Sequence, residues 1–254
     1  MRILKFILLV SLIYFSVAAY LFFTQRSLIY FPPPPSDHGY LEETFQFKKA
    51  RVQVIVLNQG HEKSILYFGG NAEAVENNAL AFIQHFPNHT VYLVQYRGYG
   101  NSTGKPAETN LYADSLAIFE RLKQQHKRIT VIGRSLGSGI ASHLAAKKKV
   151  DQLILVTPYD SLQSLAQTVF PFFPMSILLL DKYNALAHAQ KIKTPTLLLI
   201  AEKDQIIPLT HSENLAQAFS PSIATVVIIP KYGHNNISYS PLYYQSIRQF
   251  ILNQ

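Results

Sequence analysis

Short runs of β-forming residues alternate with amphipathic stretches through most of this 254-residue chain, and that alternation restricts the folds open to it. Most runs are apolar residue after residue, which is typical of strands buried on both faces of a parallel sheet. The sequence therefore predicts an α/β fold in which helices cover both faces of a mostly parallel sheet. The predicted strands are 51–57, 64–68, 90–96, 129–132, 152–156, 196–201 and 225–229, and the clearest predicted helices are 75–85, 110–125, 138–148 and 242–252.

The N-terminal part differs in composition from the rest. An uncharged apolar run extends from Phe6 to Phe23, and about 18 such residues are enough for a helix to cross the hydrocarbon core of a bilayer. The sequence therefore predicts a membrane anchor over residues 1–26, with a transmembrane helix at about 6–23. A cleaved signal peptide is the alternative, with a weak small-residue cleavage site at 16–18, but the apolar run is longer than such peptides usually carry.

Charges beside this run predict its orientation. Arg2, Lys5 and the α-amine precede it, which favours an N-terminus in the cytoplasm and a following domain outside it. Lys48, Lys49 and Arg51 follow the run at some distance and weaken this prediction. The localisation predicted is thus a single-pass signal anchor with a non-cytoplasmic domain.

Composition narrows the function classes. The formal net charge is +8, but the basic residues are scattered and form no stripe with interleaved aromatics, so nucleic acid is not a predicted partner. A positive surface near an anionic bilayer is the better interpretation. The chain has no cysteine, which excludes a disulfide framework, a cysteine nucleophile and thiolate metal sites.

A proline-rich segment separates the anchor from the α/β pattern. Four prolines follow Phe31, and because proline fixes φ and cannot extend a helix, they favour a stiff spacer over residues 27–40. Alternatively, they form a loop at the rim of the domain. Either interpretation makes this segment a boundary, with the α/β domain predicted over 41–254.

Ser135 lies in a Gly-x-Ser-x-Gly frame between a predicted strand and a predicted helix. Such a tight turn strains its central residue, and glycines at 133 and 137 let neighbouring backbone approach without a Cβ clash. This geometry would raise the serine hydroxyl at the carboxyl edge of the sheet, where sites of α/β folds lie. A turn that merely uses serine and glycine is the alternative.

A nucleophilic serine needs a histidine to take its proton and a carboxylate to orient that histidine. In one known arrangement the chain order is serine, acid, histidine. Asp204 follows the strand at 196–201, and His234 follows the strand at 225–229. We therefore expect Ser135, Asp204 and His234 to be the nucleophile, acid and base.

Other residues compete for these two roles. Glu202 and Asp160 are rival acids, although Asp160 is better interpreted as the N-cap of a helix starting at 161–162. The other histidines lie before the serine, on helices or in polar segments. Only His234 lies in a loop directly after a late strand.

An oxyanion hole requires two backbone N–H groups aimed at the developing negative charge. One is expected from Leu136, which follows the nucleophile. The other is expected from the loop after the strand at 64–68, with Asn71 as the choice and Ala72 as the reserve.

Together these motifs resemble those of membrane-anchored alpha/beta-hydrolase-domain proteins, a branch often described as serine-aminopeptidase-like that includes lipases and protein depalmitoylases. The resemblance extends from about Leu28 to the C-terminus. It implies an eight-stranded sheet, a Ser135–Asp204–His234 triad, and no metal or dissociable cofactor. The segments that carry it are Gly69–Asn71, Tyr96–Gly100 with Ser102 and Gly104–Pro106, Gly133–Gly137, Asp204 with Ile207–Pro208, and Gly233–Asn235.

Two positions depart from the pattern of that family. Gly69 stands where its members usually have histidine, and Gln95 stands where they usually have aspartate. Neither belongs to the triad, so the departures put loop rigidity and efficiency in question more than the mechanism.

The segment between the sixth strand and the acid strand is where lids are inserted in this fold, and here it is short, which predicts an open site. Its apolar side chains could line an acyl pocket, touch a bilayer or simply cover the core. Tyr99, Phe170, Phe172 and Phe173 are the candidate pocket residues.

The sequence favours a serine hydrolase that cleaves carboxylic esters or thioesters with an apolar acyl group, such as a lipid or acylated molecule, through an acyl-enzyme on Ser135. A serine peptidase of the aminopeptidase type is the first alternative, but it would call for a carboxylate to pair with the substrate ammonium, and none can be assigned. A non-catalytic, membrane-tethered binding or scaffold module is the second.

Overall fold

The protein is described here from a computed structural model that covers residues 1–253. A long N-terminal helix precedes a single sheet with helices on both faces. The strands are β1 Leu41–Phe47, β2 Ala50–Leu57, β3 Lys63–Phe68, β4 Thr90–Val94, β5 Arg128–Arg134, β6 Gln152–Val156, β7 Thr196–Ala201 and β8 Ala224–Ile229. The helices are α1 Arg2–Ile29, α2 Ala79–His85, α3 Glu108–Lys123, α4 Leu136–Lys147, α5 Leu162–Val169, α6 Met175–Leu178, α7 Ala185–Ala189, α8 Leu209–Ala218 and α9 Pro241–Leu252.

The eight strands form one sheet in the order β1-β2-β4-β3-β5-β6-β7-β8. β2 pairs antiparallel with both β1 and β4, and every other neighbouring pair is parallel. The predicted mostly parallel α/β sheet is confirmed, although the sheet is mixed rather than purely parallel. In this order the carboxyl ends of β3, β5, β7 and β8 lie at one edge, which collects the loops predicted to form the site.

Strand β1 was missed from the sequence pattern. It lies at the edge of the sheet, and only Phe45 among its seven residues is buried, so it lacks the apolar run that marks the other strands. The predicted helix at 75–85 begins instead as a 3-10 turn, Val75–Asn78, and continues as α2. The other predicted strands and helices agree within about two residues at each end.

The two faces of the sheet bury separate apolar cores. One core is formed with α3, α4 and α8 and includes Tyr30, which follows α1. The other core is formed with α2 and α9 on the opposite face. The chain therefore leaves α1 on the same face of the sheet as α4.

The C-terminal end of α1 is docked on the domain. Gln25 is buried, its Nε2 donates to Leu178 O at 3.1 Å, and its Oε1 accepts from Leu180 N at 2.7 Å. Arg26 donates to both carboxylate oxygens of Asp181, at 3.0 and 3.3 Å, and Tyr30 Oη donates to Asp181 at 3.0 Å. Among residues 1–253, α1 is the one helix long and apolar enough to cross a membrane, and most of its apolar side chains are exposed.

A cluster of one tyrosine and two histidines joins α3, α4 and α7. The rings of Tyr112 and His143 stack with centroids 3.8 Å apart, and His188 packs edge-on against His143 at 5.1 Å. Burial, together with the charges of His188 and Lys147, lowers the pKa of His143 to about 4. Burial also lowers the pKa of His188.

This cluster predicts acid sensitivity. Between pH 6.5 and about 4 the unfolded chain binds a proton on His143 that the folded chain does not, so the free energy of unfolding rises with pH across this window and is lost as the pH falls. His143→Phe keeps a stacked ring but cannot titrate, and we expect its stability to depend less steeply on pH. Urea unfolding followed by far-UV circular dichroism at pH 7, 5.5 and 4 measures this, and equal pH dependence in both proteins would contradict it.

Candidate active site

Ser135 forms the turn between β5 and α4 with a strained backbone, φ +49° and ψ −117°. A positive φ of this kind is costly for a residue with a Cβ and persists only where the surroundings impose it. The two glycines of the motif explain why the turn can be so tight. A Cβ on Gly137 would lie 2.1 Å from Phe68 O, and one on Gly133 would lie 2.4 Å from Gly137 O.

The structure brings Ser135, His234 and Asp204 into one hydrogen-bonded chain. His234 Nε2 lies 2.9 Å from Ser135 Oγ, and His234 Nδ1 lies 2.8 Å from Asp204 Oδ2. The side chains of His234 and Asp204 are 8% and 3% exposed, whereas Ser135 remains partly open to the cavity beside it. This is the geometry in which a histidine can accept the serine proton while a carboxylate holds its ring.

The loop after β7 holds the carboxylate of Asp204 in place. Its Oδ1 accepts hydrogen bonds from the backbone N–H groups of Ile206, at 2.9 Å, and Ile207, at 2.8 Å. The other oxygen, Oδ2, is left to face His234. These two hydrogen bonds fix the orientation of the carboxylate, which suits it to hold the histidine ring in place.

The rival acids have other partners. Glu202 Oε2 accepts from the backbone N–H of Lys231 at 2.7 Å. Asp160 Oδ1 lies 2.9 Å from Nδ1 of the buried His211. The expectation that Asp160 caps the following helix is corrected, because the Ser161 hydroxyl accepts the capping hydrogen bond from Ser164 N.

Two backbone N–H groups flank Ser135 without hydrogen-bond partners in the described part of the chain, and they belong to Leu136 and Asn71. Leu136 is the first residue of α4, where helical N–H groups have no partner within the helix. Both residues line the same cavity as Ser135. The N–H of Gly70 is taken, since it donates to Glu73 Oε2 at 2.6 Å. The reserve residue, Ala72, has φ +58° and donates to Asn71 Oδ1.

The side chain of Asn71 connects this loop to the end of α1. Its Oδ1 accepts from the N–H of Phe31 at 3.1 Å and from Tyr99 Oη at 2.7 Å. Its Nδ2 donates to the carbonyl oxygen of Ile29. The loop that presents the Asn71 N–H is therefore bonded on both sides of the bend at which α1 ends.

An ion pair that sequence reasoning missed links three parts of the site. Glu73 accepts from Arg134 Nη1 at 3.0 Å as well as from Gly70 N, and Arg134 Nη2 donates to His234 O at 3.2 Å. Burial by itself lowers the pKa of Arg134, but Glu73 together with the nearby Tyr67 and Tyr243 raises that pKa above its ordinary value. The pair thus ties the loop after β3 and the loop of His234 to the serine turn.

A cavity of about 310 Å³ opens beside Ser135. Most of its wall comes from the end of α1, the serine turn with Asn71, and the segment from α5 to α6, and Tyr159, Ile206 and Ile207 complete it. In the described residues 1–253, none of the side chains that line it is charged. Its lining includes Leu21, Gln25, Leu28 and Ile29 from α1, Leu162, Leu165, Ala166 and Val169 from α5, and Met175 and Leu178 from α6.

Of the four predicted pocket residues, the structure places only Phe170 in the cavity wall. Tyr99 is buried below the loop and holds Asn71. Phe172 is 84% exposed, and Phe173 packs against Tyr14 of α1. The sequence could not separate these roles because all four are aromatic residues near predicted site loops.

The two departures from the family pattern have structural counterparts. A Cβ on Gly69 would lie 2.7 Å from Val75 Cγ1, so this loop has no room for histidine without rearrangement. Gln95 Oε1 accepts from Asn101 N at 2.7 Å, an acceptor role that an aspartate could also fill. The loop of Gly69 is braced by Glu73, which accepts from Gly70 N and pairs with Arg134.

Comparison with known proteins assigns the chain to a family. Residues 53–176 match the family model described as alpha/beta hydrolase fold. An uncharacterized protein of Mycobacterium tuberculosis is 33% identical over 258 residues, covering 92% of this chain and 89% of that protein. The chain belongs to the alpha/beta-hydrolase family.

Two further likenesses add to this assignment. An uncharacterized membrane protein of Saccharomyces cerevisiae is 28% identical over 174 residues, 65% of this chain and 61% of that protein. The esterase Pf2001 of Pyrococcus furiosus has a similar structure, with a TM-score of 0.67, 16% identity, and coverage of 88% of this chain and 99% of that one. At that identity the likeness shows the alpha/beta-hydrolase fold alone, whereas the yeast relative and α1 support association with a membrane.

Proposed function

We propose that this alpha/beta hydrolase is a serine hydrolase that cleaves carboxylic ester or thioester bonds of substrates with an apolar acyl group. The observation that carries the proposal is the hydrogen-bonded chain Ser135–His234–Asp204 beside an uncharged, apolar cavity. The family and its esterase-like structural neighbours support hydrolase activity.

The proposed reaction proceeds in two halves. His234 Nε2 takes the proton of Ser135 Oγ as that oxygen bonds to the acyl carbon, and the N–H groups of Leu136 and Asn71 stabilise the negative oxygen that forms. His234 then gives the proton to the leaving alcohol or thiol, and the acyl group stays on Ser135. Water, deprotonated by His234, then attacks the acyl carbon. The bond from that carbon to Ser135 Oγ breaks, His234 returns the proton to Oγ, and the acid leaves.

The cavity favours an acyl group over a peptide with a free amino end. An aminopeptidase site calls for a carboxylate to bind the substrate ammonium, and no lining residue in the described chain carries one. Apolar side chains instead offer burial to a hydrocarbon chain, which is favourable in proportion to the area removed from water.

We also propose that α1 anchors the enzyme in a membrane. The anchor of residues 1–26, the spacer 27–40 and the hydrolase domain 41–254 are the proposed units, with α1 continuing to Ile29. Arg2 and Lys5 favour a cytoplasmic N-terminus and a domain outside the cytoplasm. A reporter fused after the last residue that is active only in the cytoplasm would overturn this orientation.

A fluorophosphonate probe tests the proposed chemistry, because it bonds only to an activated serine. We expect the full-length protein in detergent to be labelled on Ser135, as located by mass spectrometry, and Ser135→Ala to take no label. Ser142→Ala is the matched control, since the Ser142 hydroxyl is buried on α4 without a hydrogen-bond partner in the described chain. A folded wild-type protein that takes no label would favour the non-catalytic binding module instead.

A further inference from the structure

The segment from α5 to α6 exposes an apolar surface that the domain does not cover. Residues 161–180 contain no Asp, Glu, Lys or Arg. Phe172 is 84% exposed and Ile177 is 75% exposed, and Val169 and Leu180 are also exposed. An exposed apolar patch of this kind marks a surface that binds a membrane, another protein or a ligand.

This segment runs beside the apolar part of α1. The rings of Tyr14 and Phe173 are stacked with centroids 4.9 Å apart and an interplanar angle of 9°, and Tyr14 Oη donates to Phe172 O at 3.1 Å. Gln25 holds the other end of the segment through Leu178 and Leu180. Tyr14 and Gln25 are separated by roughly 16 Å along the helix axis, at 1.5 Å per residue. The segment therefore reaches from the end of α1 to the middle of its apolar run.

Several backbone polar groups in this segment are bonded by side chains, which lowers the cost of placing them in hydrocarbon. Gln167 Nε2 donates to the carbonyl oxygens of Phe170 and Pro171, both at 3.2 Å, and Gln167 Oε1 accepts from Met175 N at 3.1 Å. Tyr14 and Gln25 add their bonds from α1. Prolines at 171 and 174 carry no N–H that would need a partner.

Charged residues begin where the apolar segment ends, although the Nζ of Lys182 reaches back to donate to Ser176 O at 2.7 Å. Arg26 and Asp181 form an ion pair at 3.0 Å; Arg26 lies three residues beyond the apolar run of α1, and Asp181 directly follows Leu180. The two apolar stretches thus stop at a common level, beyond which the polar domain begins. A helix and a segment with matching polar limits fit one bilayer leaflet.

We propose that Val169–Leu180 is a second membrane-inserted element, embedded in the acyl chains of the leaflet that receives the C-terminal half of α1. The cavity lies between these two elements and is lined by both, through Leu21 and Leu28 of α1 and Val169 and Phe170 of the segment. The acyl chain of a bilayer-resident substrate therefore enters laterally from the leaflet rather than from water. This route of entry rests on the proposed function, whereas the insertion of the segment does not.

The insertion can be tested by fluorescence because the chain has no tryptophan. Full-length Phe172→Trp, placed in vesicles of phosphatidylcholine with brominated acyl chains, is expected to be quenched. Leu12→Trp, on the exposed side of α1, is the reference for inserted protein, and Leu80→Trp, on α2 against the opposite face of the sheet, is the reference for the exposed domain; both positions are over 60% exposed. Quenching at Phe172 like that at Leu12 supports the proposal. Quenching at Leu12 without quenching at Phe172 would overturn it.

The route of entry is tested on the same vesicles with Ile177→Asp, which places a charge in the segment but not in the cavity lining. Hydrolysis of a long-chain ester dissolved in the bilayer is expected to fall by about tenfold or more, because a charge in hydrocarbon is costly. Hydrolysis of a short, water-soluble ester is expected to stay unchanged, and Leu80→Asp is expected to change neither. Equal effects of Ile177→Asp on both esters would refute lateral entry. If the wild-type protein hydrolysed neither ester, the proposed function would be refuted. The quenching result alone would then decide whether the segment is inserted.

Discussion

His234→Ala is expected to lower kcat/KM for a short, soluble ester by about four orders of magnitude. The reason is that His234 Nε2, 2.9 Å from Ser135 Oγ, is the group positioned to take the serine proton. Without it the hydroxyl is a weak nucleophile at neutral pH. Steady-state hydrolysis and the rate of fluorophosphonate labelling both measure the effect.

The matched control is His211→Ala. His211 is buried like His234 and its Nδ1 also faces an aspartate, at 2.9 Å, but its Nε2 faces Thr168 rather than Ser135. Its replacement is expected to lower the free energy of unfolding while kcat/KM stays close to the wild-type value. If both variants lost activity to the same extent, the effect would be one of folding, and the role of His234 as base would have to be abandoned.

Glu73→Gln is the second substitution for which we expect a large effect, and we expect it to lower both stability and activity. Its loss of charge leaves Arg134 partly buried without a counter-ion, which is expected to lower the free energy of unfolding by about 3 kcal/mol. The value is at the lower end for a broken buried pair because the Arg134 side chain keeps 17% exposure. Activity is expected to fall too, because the pair braces Gly70 and His234.

Urea unfolding by circular dichroism, together with ester hydrolysis, measures both effects. Glu62→Gln is the control, since the pair of Glu62 with Lys127 is about 70% exposed on both sides and exposed pairs contribute less than about 1 kcal/mol. Similar losses of stability in the two variants would show that the Arg134 pair has no special place in the fold. Unchanged hydrolysis in Glu73→Gln would show that the loops are braced without it.

The sequence was sufficient to predict those parts of the fold and site that depend on local patterns of residues. Apolar runs, and one alternating pattern at 51–57, located seven of the eight strands. Chain order brought Ser135, Asp204 and His234 forward as candidates because successive parallel strands end at one sheet edge. Strand β1 escaped because an exposed edge strand has no apolar run. The charge pattern could not pair Glu73 with Arg134, since the two lie 61 positions apart and nothing in a single sequence marks ion pairs across a loop.

The residues around the site were harder to predict from the sequence for the same reason. Asn71 was chosen for its backbone N–H, but the contacts of its side chain depend on where α1 ends in space. The stacking of Tyr14 on Phe173 spans 159 positions and joins two apolar stretches. Each stretch can be interpreted from the sequence without the other, the first as a membrane anchor and the second as a cover for the core. Such contacts follow from tertiary packing, which periodicity does not record.

The bend at the end of α1 has a consequence for proteolytic release of the domain. Asn71 is bonded to Ile29 on one side of the bend and to Phe31 on the other, and α1 supplies part of the cavity wall. A cut in this linker that let α1 leave would remove one side of the cavity and one tie of the Asn71 loop together. If α1 anchors the enzyme as proposed, shedding from the membrane would also open the site, so a freely diffusing fragment would not be the same catalyst as the tethered chain.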